Sequence, residues 1–265
     1  NTTTVTLNIK LDVAPPTMVS LTATINGTDV TSTTGELTCE IGSTVTSIKV
    51  LLSEPVTVVG TPVVTIDELD GDYGTIALDP ADTTHKTLII TPYFGNETAG
   101  LVGDFTFRVA AGAVKDAWGN ESAETTFILH VQDTGAPTMS AISFAGKPGE
   151  GSGSTWTVDI SDVTDESLLD NGSMTVSEAC TLQTKTVDGV NVSGWCNPVS
   201  LNAGVNTGSI KSLLGFTQDI TFYILKIQDL NNDGYLTVVL ELTDPSSNTT
   251  TVTLNIKLDV APPTM

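Results

Sequence analysis

Basic side chains are scarce. Ten Lys and Arg stand against 31 Asp and Glu, a net charge of −21. A phosphate-binding face needs clustered cations, so nucleic acid is excluded as a partner. Aromatics make up only 5% of the chain, so cores must be assembled from Val, Ile and Leu, which suit strands better than helices. Histidine occurs twice, as His85 and His130, with no His-x-x-x-His pair and no Ser in a nucleophile-elbow context. Hydrolytic chemistry lacks its usual carriers, and the chain is expected not to be an enzyme. No apolar run approaches the ~18 residues of a membrane helix, so no span is expected in this segment. No secretory leader is present; the chain opens inside a strand-like pattern, which puts any targeting segment elsewhere.

Cysteine is also rare, with three residues. Cys180 and Cys196 lie sixteen apart across a Gly/Asn-rich stretch. A disulfide there would contribute about 3 kcal/mol on the chain-entropy model; the alternative is two buried thiols. Cys39 has no evident partner, and is either buried and inert or bonded to a neighbouring chain.

What the chain does have is Thr, turns and repetition. Charged residues total 15%, and an acidic, weakly charged, Thr-rich surface fits an extracellular chain. Its expected small partner is a hard cation such as Ca²⁺. N-glycosylation sequons start at Asn1, Asn26, Asn96, Asn120, Asn171, Asn191 and Asn248, which fits a secreted glycoprotein.

The first eighteen residues, NTTTVTLNIKLDVAPPTM, recur without change as Asn248–Met265. An internal duplication this faithful implies a tandem array with a period of 247 residues. A weaker echo, AETTFILHVQDTGAPTM (Ala123–Met139), lies between the copies. Each period therefore holds two related units, bounded at Pro16-Thr17, Pro137-Thr138 and Pro263-Thr264. Val5, Leu7, Ile9 and Leu11 alternate with polar residues, a strand pattern. The apolar phase before Asp133 is shifted by one from that before Asp12, which calls for a bulge or a strand buried on both faces. Strands are also expected at Val45–Leu52, Pro62–Ile66, Thr87–Thr91, Asp104–Val109, Trp156–Ile160, Phe222–Ile227 and Tyr235–Leu242, separated by Gly, Asp, Asn and Pro. Single helical turns fit SLLDNGSM and SIKSLLGF. Two all-β units of about 120 residues imply tandem sandwiches.

Val102–Thr138 resembles the last strands of bacterial and archaeal Ig-like domains of surface-layer proteins and giant repeat adhesins. The shared frame is an aromatic strand, Asp-x-x-Gly-Asn, a strand, then Asp-x-x-Ala-Pro. Asn232–Thr264 fits it with Ser247 in the Gly position, and LLSEPVTVVGTP (Leu51–Pro62) resembles an early segment of the surface-layer type. The resemblance covers Thr138–Gly215 poorly. It implies an Ig-like domain at 17–137, a second at 138–265, and a segment 1–16 that is the last strand of the preceding repeat. It also implies calcium at the domain joints, held by Asp12, Asp133 and Asp259 with Asp116 or Asp244. The residues alone offer a second candidate, the calcium-loop-like DLNNDGYL with Asp229, Asn231 and Asp233. Its twelfth position is Leu240 rather than Glu, and a turn anchored by Tyr235 is the alternative. Asp67, Glu68, Asp70 and Asp72 read as a solvated loop. A self-made Lys–Asn crosslink would need a core-facing Lys, whereas Lys10, Lys49 and Lys257 fall on polar phases.

The expected role is structural: a repeat of an extracellular filament, stalk or surface layer at the cell surface. Its partners would be identical repeats, head to tail, with lateral bundling into fibres. The alternatives are an adhesin module gripping glycan or a partner surface, and a subunit polymerising by strand donation.

Overall fold

The computed structural model describes residues 6, 11–67, 69, 71–92, 101–192, 194–219, 221, 224–225, 229 and 232–259. The chain divides into two compact units, Asn1–Asp133 and Thr134–Met265. Each has its own apolar core, and each is an all-β, sandwich-like unit.

The first unit opens with a hairpin of β1 (Met18–Ile25) and β2 (Thr28–Ser32). Asn26 and Gly27 turn it with φ of 50° and 78°, the paired left-handed residues that suit a two-residue hairpin. β3 (Glu36–Glu40) and β4 (Val45–Leu52) follow, then β5 (Thr57–Val58), β6 (Val63–Ile66), β7 (Asp72–Leu78) and β8 (Thr87–Pro92). β9 (Gly103–Val109), β10 (Val114–Lys115) and β11 (Thr125–Gln132) complete the unit. Among the described residues nine of these form one continuous strip, ordered β2-β1-β4-β8-β7-β6-β9-β11-β3, while β5 pairs with β10. Alternation drives the strip to curl round a core. Leu21, Ala23 and Ile25 of β1, beside Ile48 and Val50 of the paired β4, share one cluster with Phe127, Leu129 and Val131 of β11, and Phe107 stacks on Phe127 at 4.6 Å. The strip ends in a parallel pairing, β3 against β11, from Ile128↔Glu36 to Gln132↔Glu40.

The second unit repeats the plan. β12 (Met139–Phe144) and β13 (Lys147–Pro148) form the opening hairpin, followed by β14 (Glu150–Ser152), β15 (Thr155–Asp159) and β16 (Gly172–Val176). β17 (Cys180–Val187), β18 (Val190–Asn191), β19 (Val199–Leu201) and β20 (Gly204–Gly208) lead to helix α1 (Ile210–Leu214), and β21 (Tyr235–Thr243) and β22 (Thr249–Lys257) close the unit. Among the described residues its sheets are separate: β13-β12-β16-β20 on one side, β14-β15-β22-β21-β17 with β18 and β19 on the other. β22, the second copy of the duplicated segment, is an inner strand. It runs antiparallel to β21 and parallel to β15, and its Val252, Leu254 and Ile256 are fully buried.

Several expectations need correction. β11 has neither a bulge nor two buried faces; its burial alternates cleanly and its pairing with β9 has no register shift. Ile224 and Leu225 of the expected Phe222–Ile227 strand are helical: Thr221 Oγ1 caps the turn by accepting from Ile224 N at 3.1 Å, and Leu225 N donates to Thr221 O at 3.0 Å. Their four neighbours in that range lie outside the described residues, as does the strand expected at the start of the chain. The Cys180–Cys196 disulfide is not formed; both are free, buried thiols. Cys180 begins β17 opposite Leu201, whereas Cys196 sits by Thr184 and bridges to Phe216. Four residues of extended strand separate Cys180 from Thr184, roughly 13 Å, about twice the reach of a disulfide. Burial pushes both thiols up to about 11, so neither is a ready nucleophile. Cys39 is likewise free and buried on β3.

Candidate functional site: a carboxylate cluster at the entry of each unit

Both units begin with the same clasp. In the first, Thr17 N donates to Ser53 Oγ at 3.1 Å, and Ser53 N donates to Thr17 O at 2.9 Å. In the second, Thr138 N donates to Ser177 Oγ and Ser177 N to Thr138 O, both at 2.9 Å. The Ser follows β4 or β16, and a Glu follows the Ser, Glu54 or Glu178. The Pro-Thr dipeptide that marks each unit boundary in sequence is thus tied to the strand carrying an acidic residue.

The loop before each final strand is equally matched. Asp116 N donates to Asn120 O at 3.1 Å, and Asp116 Oδ1 accepts from the backbone of Trp118 and Asn120, each at 2.8 Å. Asn120 Nδ2 donates to Asp116 Oδ2 at 2.7 Å. In the second unit Asp244 N donates to Asn248 O at 3.1 Å, and Asp244 accepts from Asn248 N at 2.8 Å and from its Nδ2 at 2.9 Å. Gly119 and Ser247 occupy the same loop position, with φ of 90° and 71°. Ser247 therefore adopts a left-handed conformation that suits the glycine expected there.

In the first unit the loop also holds the incoming chain. Asn120 Nδ2 donates to the carbonyl of Asp12 at 3.2 Å, and Asp12 Oδ1 accepts from Ala14 N at 3.1 Å. Carboxylate oxygens of Asp12, Glu54 and Asp116 consequently lie within 4.8 Å of one another. Asp116 is only 4% exposed. Burial works against its charge, but the bonds from Asn120, Trp118 and Gly119 outweigh it and hold the carboxyl below its ordinary value. Glu54 moves the other way, raised by desolvation and by the charges of Asp12 and Asp116, with Lys86 opposing. Oxygens at this spacing fit one Ca²⁺, whose ligands stand about 2.3–2.6 Å from the ion. In the second unit Glu178 and Asp244 come within the same 4.8 Å, and Asp133, last residue of the first unit, holds in chain order the place of Asp12.

No family model matches the chain, and no curated protein matches its sequence. Among solved structures it is similar to the N-terminal part of the bacterial S-layer protein SbsC, at 15% identity over 80% of this chain and 41% of that one, with a TM-score of 0.24. It is similar to DIP-gamma IG1+IG2 at 7% identity, covering 85% of this chain and 94% of that one, TM-score 0.29. It is also similar to the human Desmocollin-1 ectodomain at 13% identity, covering 92% and 40%, TM-score 0.26. The chain thus spans less than half the length of the S-layer structure.

The other candidates fall elsewhere. Asp229 is buried and accepts from Asp233 N at 3.2 Å and Gly234 N at 3.0 Å, while Asp233 accepts from Tyr235 N at 2.8 Å. These carboxylates close a turn; Asn231 lies outside the described residues, and Tyr235 is 37% exposed rather than a buried anchor. Asp259 follows β22 and is exposed. Asp67 is paired with Arg108, which also meets Glu124, and Lys49 and Lys257 pair with Asp79 and Asp159. Lys10 lies outside the described residues. Of the sequons, Asn171 and Asn191 are exposed. Asn26 donates from Nδ2 to Ser43, Asn120 and Asn248 spend theirs on the Asp loops, and Asn1 and Asn96 lie outside the described residues. Sequence reasoning missed Glu54, Glu178 and the organising role of the two Asn residues. The available signal was Ser-Glu following a strand in both halves.

Proposed function

We propose that this chain is one period of a long extracellular array of Ig-like sandwiches, a filament, stalk or surface-layer repeat, with Ca²⁺ bound where the chain enters each unit. The observation that carries the reading is the duplicated segment. Its second copy is β22, an inner strand with its apolar side chains buried. A strand that a fold cannot do without, present twice at a fixed period, is the mark of units joined in series. A non-enzymatic, spacing role follows, with length set by repeat number. Polymerisation by lending the first strand to a neighbour is the weaker reading, because β22 already lies between β15 and β21.

The cation reading rests on Asp12, Glu54 and Asp116, three carboxylates that repel one another without a counter-charge. A cation here would tie the entering segment to two loops and restrict bending. The intact mass of the native polypeptide tests the array: a mass of many periods supports it, and a single period without self-joining removes it. Thermal melting with calcium and with chelator tests the ion. The first unit's Tm is expected to drop on chelation, and an unchanged curve discards the cation.

A further inference from the structure

The duplicated segment is described twice with different surroundings. As Leu258-Asp259 it leaves the second unit: Leu258 is 5% exposed, and its N–H donates to Gly234 O at 2.7 Å. As Leu11-Asp12 it enters the first unit: the Asp12 carbonyl accepts from Asn120 Nδ2. The two copies keep different bonds, one to the second unit and one to the first. In an array a single Leu-Asp pair has both sets of partners. Gly234 of one repeat and Asn120 of the next are then bonded to adjacent residues of one chain, which limits their separation to roughly 12 Å given backbone dimensions.

We propose that successive copies make a direct joint in which the Asp233–Tyr235 loop of one repeat covers the Trp118 loop of the next. The inference rests on the array reading above and adds the surface it uses. Trp118 lies two residues from Asp116 and is 64% exposed, and Tyr235 is half-open beside Gly234. Packing these two aromatic side chains against each other would bury apolar area that each repeat alone leaves in water. The position equivalent to Trp118 in the second unit is Ser246, so the aromatic belongs to the joint between copies. The occupant is a second copy of this chain, because the duplicated Leu-Asp pair carries both the Gly234 bond and the Asn120 bond.

The test is a two-period chain, residues 1–259 continued by 13–265, with Trp118→Phe in the first period so that the one remaining Trp118 stands at the joint. Trp118 is exposed, so the substitution leaves the fold intact. Hydroxyl-radical labelling of Trp118, read by mass spectrometry, is compared with that in the single-period chain, in calcium and in chelator. Labelling several-fold lower at the joint supports the proposal. Protection in calcium alone means a joint held through the carboxylates; protection in both conditions means one held by the aromatics. Labelling equal to that of the single-period chain in both conditions overturns it. Because this chain is built to contain the joint, the result is independent of native repeat number, which the intact mass decides.

Discussion

The two units share an entrance and differ in a wall. Both tie Pro-Thr to a Ser-Glu corner and both brace the loop before the last strand with an Asp–Asn pair. Between β4 and β8 the first unit runs β5, β6 and β7, and β7 pairs on both edges, joining its sheets into one strip. At the corresponding place the second unit runs β17, β18 and β19 around the Cys196 loop, and among the described residues β20 pairs only with β16, so its sheets stay apart there. The difference teaches where constraint lies. The lateral wall tolerates two solutions, since either buries a core; the entrance does not vary, and it is there that the carboxylates gather.

Substitutions can break the comparison. The largest effect is expected for Phe107→Ala, which removes a fully buried ring stacked on Phe127. A loss of about 3–5 kcal/mol is typical. Calorimetry should show the first unit's transition fall while the second stays in place; movement of both would mean that the units melt as one. Next is Gly215→Ala. Gly215 ends α1 at φ 72°, and an added Cβ would sit 2.1 Å from Asn197 O. A cost of about 1–3 kcal/mol, confined to the second unit, is expected, with faster hydrogen exchange around Cys196.

Smaller still is the exchange at the shared loop. Ser247→Gly should stabilise the second unit by about 0.5–1 kcal/mol in urea unfolding, since Ser there bears the left-handed strain that glycine avoids. Gly119→Ser should cost the first unit a similar amount. The least effect concerns Glu54. Its carboxyl is raised above the ordinary 4.5 in the folded chain, so the folded state holds that proton more tightly and stability falls as pH rises through the interval above 4.5. Relative to Glu54→Gln, the chain should lose Tm across that interval in chelator and recover it in calcium. Parallel curves for the two proteins would show that the three carboxylates do not interact.

Most of the fold was legible because alternation is a local signal. Val45–Leu52 and Asp104–Val109 stand within a residue of their strands. Within the expected Phe222–Ile227 strand, Ile224 and Leu225 are helical instead, where a Thr221 cap outweighs apolar composition. The disulfide failed because sixteen residues of sequence separation say nothing about where a strand of fixed rise delivers its ends. Asp12 and Asp116 were visible through the resemblance, but Glu54 was not. Its partnership depends on a clasp joining residues 17 and 53, a non-local contact that no window of sequence contains.

The parallel pairing of β11 with β3 has a mechanical consequence. The chain enters the first unit beside Asn120, just ahead of β11, and leaves just past its other end. In the proposed array, tension between neighbours would therefore act along the axis of that strand. Its hydrogen bonds to β3 and β9 are loaded in shear, all together, rather than opened one by one like a zip. β22 stands in the same relation to β15 and β21. In such an array each unit would meet a pull along its closing strand with a whole row of hydrogen bonds.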